Sequence, residues 1–585
     1  MVSYRGQGEA KEKLPMENTA IADVFNEIAD ILDILGENPF RIRSYRNAAR
    51  VIGDMSENIA TVAREGGDIT ALPGIGAALA EKVKELASTG RLSFLSELRE
   101  RLPRGLPVLL KIEGLGPKKV KLFYDTLTID SVDKLEKAAR EGTLMDLPGI
   151  GDKSGENLLK AIARYRAGQG RFKLSAGLEY AESLIRHLRK ARGVTAIEAA
   201  GSVRRRKETV GDIDILVICG GGSDIMDRFA RYDGIEEMTA KGPTKSSARL
   251  SCGLNVDVRV LEEGSYGAAL QYFTGSKDHN VALRGRAVAR GLKLSEYGVF
   301  KGARAIAGRN EEGVYAAVGL PLIPPELREN RGELEAAEKG ELPALVELAD
   351  IRGDLQMHTV ATDGRGTILD MAAKAKELGY AYIAITDHSK AVRVARGLDA
   401  KRLAAHLKAI DKAGEKSPGI RILKGVEVDI LPDGSLDLDD GILGECEVVI
   451  AAVHSRFNLP EREMTRRIVK GISNPRVHIL GHTTGRLILE RPGYEVDMEE
   501  IVKAAKDHGV VMEVNAHPDR LDLRDIHVRL AKEHGVKLVI STDAHSTQNL
   551  ELMRYGVFTA RRGWAEAGDV INTYPLKKLL KELKR

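Results

Sequence analysis

From Ile351 onward, short apolar runs alternate with helix-like stretches, and a histidine or carboxylate recurs at the ends of the runs. YIAIT, IRILKGVEV, CEVVIAAV, VHILGH, GVVMEV and KLVIST are almost uninterrupted aliphatic segments, whereas ILDMAAKAKELG and MEEIVKAAKDHG between them have helical spacing. Strands that are apolar on both faces and alternate with helices read as a parallel sheet with helical crossovers. The expectation is a βα barrel over residues 349–575.

Gln356 and His358 with Asp363, then His388, Glu427, His454, His482, Asp543 and His545, all follow or end an apolar run. In a parallel barrel such positions converge on one rim, and imidazoles and carboxylates gathered there suit a multinuclear metal site. A lone strand-end histidine is more often a hydrogen-bonded side chain, but five at recurrent strand ends argue against that for the set. Asp387 and His517 lie near these motifs and read as supporting residues.

The preceding half has a different texture. From about residue 18 to 98 the apolar residues recur at helical spacing, as in IADVFNEIADILDIL. LPGIG at 72–76, IEGLG at 112–116 and LPGIG at 147–151 form an internal repeat. Each copy places two glycines before a helix: Gly74 and Gly76, Gly114 and Gly116, Gly149 and Gly151. Glycine admits positive φ and close backbone approach, and amides at a helix start favour an anion such as a phosphate. A single copy could equally be a turn between packed helices, but three copies favour phosphate binding.

Beyond Phe172 come a helix (AESLIRHLRKA) and the strands TAIEAAGSV, DIDILVICG and LNVDVRVLE, an α+β pattern. On a strand, residues i and i+2 share a face, so Asp212 and Asp214 stand side by side. Two close carboxylates on a mostly apolar strand call for compensating charge, which a hard divalent cation supplies through oxygen ligands. Asp257 brings a third acid on another strand, an arrangement suited to two-metal displacement at phosphorus. The cationic run Arg204–Lys207 precedes these acids; part of it is expected to be ordinary solvated charge. Residues 331–348 are charged and interrupted by glycine, and read as a linker.

At 585 residues the chain exceeds what one core organises, so several domains are expected. The net charge of +4 is too mild to identify a polyanion partner by itself. Three cysteines without CxxC spacing suggest neither a disulfide framework nor a thiolate zinc site and fit a reducing compartment. There is no long uncharged apolar segment, so a cytoplasmic protein with no membrane partner is expected.

The whole of GSVRRRKETVGDIDILV resembles the nucleotidyltransferase motif of family X DNA polymerases, relatives of DNA polymerase beta, and YFTGSKDHN at 272–280 resembles their nucleotide-selecting segment. The repeats resemble helix-hairpin-helix motifs, which hold the nucleic-acid backbone without reading bases. The C-terminal segments resemble the PHP phosphoesterase domain, a distorted βα barrel. These resemblances imply a helical lyase-like domain at 15–100, a second helical DNA-binding subdomain at 101–168, a palm at 169–262 and a nucleotide-selecting subdomain at 263–330.

They imply that Asp212, Asp214 and Asp257 hold Mg²⁺, and that Gly201, Ser202, Arg205, Gly211, Arg259, Tyr272, Phe273, Gly275 and Asn280 hold the incoming dNTP. The Tyr272–Phe273 pair would exclude a ribose 2′-hydroxyl. Lys82 aligns with the family's Schiff-base lysine, with Tyr45 and Arg46 at matching DNA-binding places, although Ala78 replaces a second family lysine. The barrel would bind up to three Mn²⁺ or Zn²⁺ ions for 3′-5′ exonuclease, with abasic-site cleavage as a further implied activity; Gln356 departs from the family's H-x-H. The implied whole is a monomeric repair polymerase that fills gaps in gapped or primed duplex DNA during base excision repair. The alternatives are a DNA-end scaffold with a degenerate barrel site, and a template-independent nucleotidyltransferase, which the hairpin repeats and the Tyr272–Phe273 pair disfavour.

Overall fold

The computed structural model describes residues 18–584, apart from 54–58, 65, 73, 104, 111, 113, 145–146, 148–151, 169 and 222. They fall into two compact units, one up to residue 169 and one from Gly170 onward.

The first unit is helical. Asn18–Ile34 buries Phe25, Ile28, Ile31 and Leu32 against Tyr45, Ala48 and Ile52 of helix Pro39–Gly53. Helix Ala77–Thr89 starts at Gly76 and ends at left-handed Gly90, a glycine stop. A second core centres on Leu109, Val120, Phe123 and Leu135, with helix Pro117–Leu127 starting at Gly116. Both hairpins close the same way: Ile75 N donates to Leu72 O at 3.1 Å and Leu115 N to Ile112 O at 3.1 Å. The third residue of each turn is a glycine, Gly74 at φ +83° and Gly114 at φ +82°, as a type II turn requires. Gly149 and Gly151 lie outside the described residues.

The second unit begins with a five-stranded sheet in the order Val194–Ala199, Asp212–Cys219, Asn255–Leu261, Lys245–Leu250, Ile235–Lys241. Its two outermost strands on one side, Ile235–Lys241 and Lys245–Leu250, were not foreseen from the sequence; Ile235–Lys241 is a polar, mostly exposed edge, and Lys245–Leu250 inside it buries Ser246, Ala248 and Leu250. The central Asp212–Cys219 and Asn255–Leu261 strands run parallel, and the remaining pairs are antiparallel. Helix Leu174–Leu188 packs on the sheet through Leu178, Ala181, Leu184 and Leu188.

Residues 266–317 add helices Tyr266–Thr274, Lys277–Ala289 and Glu311–Ala317 and a small three-stranded antiparallel sheet over 293–307. The expected linker is not a tether. Glu333–Lys339 is helical, Leu334 and Ala337 join the core formed by Leu283, Val314 and Tyr315, and Arg328 just before it is fully buried. The charges that suggested a linker are paired: Arg328 with Glu311 at 2.6 Å, and Glu333 with His279 at 2.7 Å.

The C-terminal part is a parallel sheet of seven strands in sequence order, Gly353–Asp354 through Leu538–Ser541. Val448–Ala452 and Val511–Asn515 are buried at every residue, the pattern of a sheet covered on both faces. The first and last strands approach through a Met357–Ala544 bridge, with His358 N donating to Ala544 O at 2.8 Å, so the sheet nearly closes into a barrel. Ile488, Leu521 and Tyr555 of this part join the core of the five-stranded sheet. No helix among the described residues is long and apolar enough to cross a membrane.

Candidate active sites

Parallel pairing puts Asp214 directly opposite Asp257, with Asp212 two residues before it on the same strand. Ile213 and Ile215, pointing the other way, are fully buried, which fixes the acidic face outward. Burial and the adjacent Asp212 and Asp257 push the Asp214 carboxyl up to about 6. Asp257 is held differently. Burial opposes its ionisation, but the Ser247 hydroxyl at 2.6 Å, Lys245 at 3.0 Å and Arg259 at 3.0 Å keep its carboxyl below the ordinary range.

Gly201, at φ +62°, starts the short helix beside these acids; a Cβ there would sit 3.1 Å from Asp214 Oδ2. Ser202 and Arg205 lie on and just after this turn, and Gly211 directly precedes Asp212. The cationic run is not solvated charge, which corrects the sequence reading. Arg204 reaches Glu198 at 2.8 Å and Glu311 at 2.6 Å, and Arg206 covers the Phe558 ring at 4.5 Å. Arg205 donates Nε to Glu329 at 3.1 Å and Nη1 to the Thr274 carbonyl, while Lys207 lies 4.0 Å from Glu329. Four adjacent cations can stand together because the folded chain supplies distant carboxylates, which local sequence cannot reveal.

Tyr272 and Phe273 meet edge to face at 5.2 Å, and the Arg259 guanidinium lies 4.5 Å from the Phe273 ring centre. The Asn280 amide is held by Gln271 at 2.7 Å and donates to the Tyr272 carbonyl at 2.7 Å. Gly275, at φ +70°, would bring a Cβ within 3.0 Å of Arg205 Nη1. Arg259 thus links the Phe273 ring to Asp257, as Gly201 adjoins Asp214.

In the helical unit, Phe94 gathers the lyase-motif residues. Lys82 Nζ lies 4.9 Å from its ring centre, Arg41 caps it at 5.3 Å, and Tyr45 stacks on it at 6.1 Å. Arg46 instead pairs with Asp30. Ala78 is exposed on the first turn of the Lys82 helix.

The barrel rim brings its predicted residues into one cluster. His358, Asp363, His388 and His545 form one group with ligand atoms all within 4.8 Å of one another; His388, Glu427 and His454 form a second; His358, Glu427 and Asp543 form a third. Glu427, fully buried, touches four imidazoles: His358 at 3.3 Å, His388 at 3.4 Å, His454 at 3.2 Å and His482 at 3.3 Å. Against the penalty of burial, these histidines hold the Glu427 carboxyl well below the usual carboxylate range. Burial and the charge of His358 bring His388 down to about 3. Burial would lower His454 as well, but Asp429 and Glu427 carry it up to about 9.

The donor set fits divalent cations. Nδ1 of His358 and of His388, and both Glu427 oxygens, are buried without a well-formed hydrogen bond among the described residues. Buried polar atoms are rarely left so, and imidazole with carboxylate is the ligand chemistry of Mn²⁺ and Zn²⁺. Gln356 is fully buried, and neither its amide oxygen nor its nitrogen has a hydrogen-bond partner among the described residues.

Sequence reasoning missed the residues that orient these ligands. Asp429 contacts His454 Nδ1 at 3.2 Å and Glu513 contacts His482 Nδ1 at 3.2 Å. Asp429 directly follows the apolar run IRILKGVEV and Glu513 lies within GVVMEV, so acids within or at the end of an apolar strand were the available signal. Asp387 is a supporting residue as expected, accepting from Thr359, Thr362 and His406.

Models of a helix-hairpin-helix domain match residues 16–92, a SAM-like helix-hairpin-helix tandem 106–164, the DNA polymerase beta thumb 269–329, and the PHP domain 354–517. The DNA polymerase/3′-5′ exonuclease PolX of Bacillus subtilis (strain 168) is 38% identical over 574 residues, covering 97% of this chain and 100% of that protein. A probable phosphatase of Thermoanaerobacter sp. (strain X514) is 31% identical over 245 residues, 40% of this chain and 95% of its own. A probable phosphatase of Caldicellulosiruptor saccharolyticus is 30% identical over 198 residues, 32% of this chain. With hairpin domains, a polymerase beta thumb and a PHP barrel in one chain, and similarity along nearly its whole length, the protein belongs to the family X DNA polymerases that carry a C-terminal PHP domain.

Proposed function

We propose that this chain is a DNA-directed DNA polymerase that fills short gaps in duplex DNA during base excision repair and trims 3′ ends at its barrel. The observation that carries the polymerase reading is the Asp214–Asp257 pairing, with Asp212 on the same face. Asp212, Asp214 and Asp257 hold Mg²⁺, whose role is to lower the acidity barrier of the primer 3′-hydroxyl and offset charge at phosphorus. The chain does the rest. Lys245 and Arg259 keep Asp257 ionised and aimed, so that it binds a cation rather than a proton.

Gly201 gives the triphosphate room beside Asp214, and Ser202, Arg205 and Gly211 receive its oxygens, with Gly275 behind Arg205. Arg259 fixes the Phe273 ring, so the Tyr272–Phe273 wall presents a rigid surface to the sugar of a dNTP and leaves no space for a 2′-hydroxyl. Asn280, locked by Gln271, lines the nucleotide side of the same wall. The hairpins at Gly74–Gly76 and Gly114–Gly116 offer helix-start amides to DNA phosphates.

At the barrel, His358, Asp363, His388, Glu427, His454, His482, Asp543 and His545 hold Mn²⁺ or Zn²⁺, and Gln356 adds a neutral amide oxygen. Such ions lower the pKa of water for phosphodiester hydrolysis. Asp429 and Glu513 fix the ring orientation of His454 and His482. Lys82, backed by Phe94, is the amine for Schiff-base cleavage of an abasic sugar, with Tyr45 and Arg46 shaping its surroundings.

A labelled primer on gapped duplex, given dNTPs with Mg²⁺ or Mn²⁺, tests both activities at once: extension reports the palm and shortening reports the barrel. Absence of Mg²⁺-dependent extension sinks the polymerase reading. Borohydride trapping on abasic DNA, abolished in Lys82→Ala, tests the lyase assignment.

A further inference from the structure

The 516–524 loop joins barrel strand Val511–Asn515 to helix Asp525–Glu533 and carries Arg520 at the edge of the metal-ligand cluster. Arg520 Nε stands 3.8 Å from Asp543 Oδ2, beyond hydrogen-bond reach, and its charge is felt at His482. The guanidinium donates no hydrogen bond to any described residue, and the side chain is 26% exposed. Asp543 does not need it: His358 at 3.0 Å and Asn515 at 3.1 Å already serve both carboxylate oxygens.

The backbone around this guanidinium is nevertheless held tightly, and from outside the barrel. Lys173 of the palm reaches Asp519 at 2.7 Å and Glu490 at 2.6 Å. Asp519 O accepts from Ile488 N at 2.6 Å, and Leu521, 1% exposed, is embedded in the palm core. Arg486 binds the carbonyls of Arg520 at 2.8 Å and Leu521 at 2.5 Å, and is itself fixed by palm Glu208 at 2.7 Å. A planar fork of five donors on a clamped loop, ion-paired only loosely with Asp543 and donating no hydrogen bond among the described residues, stands beside a carboxylate-and-imidazole rim and is arranged to receive an anion that arrives from solvent.

We propose that Arg520 contacts the scissile phosphodiester of a DNA 3′ end bound at the barrel, and that palm residues Lys173 and Glu208 position it through Asp519 and Arg486. This rests on the nuclease reading of the barrel given above. Hydrolysis adds water oxygen to phosphorus and breaks the P–O3′ bond, releasing a 5′-nucleotide; negative charge collects on the non-bridging oxygens, where a guanidinium fork fits. The palm is thereby part of the nuclease, as a scaffold for one residue.

The test uses full-length, Mn²⁺-loaded protein and a 5′-labelled single-stranded oligonucleotide. Arg520→Ala is expected to lower kcat/KM for 3′ shortening by about 10- to 100-fold, to weaken binding of dTMP, a 5′-nucleotide product, by a similar factor, and to keep its full Mn²⁺ content by mass spectrometry. Arg520→Lys falls between, because the charge remains and the fork is lost. Lys173→Ala lowers kcat/KM for 3′ shortening by a smaller factor, with gap filling unchanged. Wild-type kcat/KM and dTMP affinity in Arg520→Ala, or loss of Mn²⁺ from that variant, overturns the assignment. If wild-type protein shortens no 3′ end, the nuclease reading itself fails, and Arg520 falls with it.

Discussion

Asp214 and Asp257 face each other across two parallel strands, yet they are held in opposite states: burial and its acidic neighbours raise Asp214 to about 6, while Ser247, Lys245 and Arg259 offset burial and keep Asp257 low. An ionised Asp214 is therefore costly, through burial first and repulsion from its acidic neighbours second, and a cation relieves that cost. A carboxylate with a raised folded-state pKa contributes full stability below its unfolded value, near 4, and loses it as pH rises through about 6. Asp214→Asn should thus stabilise the metal-free protein at pH 8 by up to about 3 kcal/mol, with the gain vanishing below about pH 4, while abolishing nucleotide addition. Chelated thermal melts of both proteins across pH check it; an unchanged or lower midpoint at pH 8 refutes that cost.

Asp257→Ala removes the acid that is already ordered for cation binding. Mg²⁺-dependent addition on gapped DNA is expected to disappear, by at least about 10³-fold, with DNA affinity in a gel-shift assay within about twofold of wild type. Normal extension by this variant would remove the two-metal assignment.

The acidic trio was legible because strand periodicity is local: Asp212 and Asp214 sit two apart in an apolar run, and Asp257 repeats the pattern. The rim ligands were legible because they lie in or just after the C-terminal ends of apolar runs. What stayed hidden depends on partners far along the chain. Arg204 read as solvated charge because Glu311 lies 107 residues away, and Glu333 read as linker because nothing near it announces His279. Arg520 carried no signal either, since its loop is shaped by Lys173 and Glu208, more than 300 residues earlier. Ile235–Lys241 is polar and mostly exposed, and the buried face of Lys245–Leu250 begins with Ser246 before Ala248 and Leu250, so neither shows a clear apolar alternation in sequence.

His454→Ala takes one imidazole from Glu427 and breaks the second ligand group. Mn²⁺-dependent 3′ degradation should fall by at least about 10²-fold while polymerisation persists, because no palm residue of the acidic trio contacts His454. Parallel loss of both activities would point to misfolding instead.

Gln356→His exchanges a buried amide without hydrogen-bond partners for an imidazole. A neutral nitrogen donor is a better ligand for Mn²⁺ or Zn²⁺ than an amide oxygen, so metal affinity at one of the barrel positions should rise by about tenfold or more. Competition with a fluorescent chelator measures it. Unchanged affinity would mean that Gln356 does not face a cation.

Arg562 is the buried cation on which two carboxylates converge: it pairs with Glu329 at 3.0 Å and Asp525 at 2.7 Å, and donates to the Arg205 carbonyl at 2.7 Å. Burial opposes its charge, but Asp525 and Glu329 raise its pKa, so it stays protonated at every accessible pH. Arg562→Ala leaves both acids facing a desolvated gap; Arg331 still reaches Asp525 at 3.1 Å and Arg205 still reaches Glu329 at 3.1 Å, which limits the loss. A destabilisation of about 3 kcal/mol is expected in chemical denaturation of the unit that contains palm and barrel. Because Arg562 also ties down the Arg205 carbonyl, the same variant should raise KM for dNTP several-fold more than it lowers kcat, measured below the denaturation onset. Arg562→Met, which keeps the volume but not the charge, separates lost packing from lost pairing: a cost equal to that of alanine assigns the effect to the stranded carboxylates.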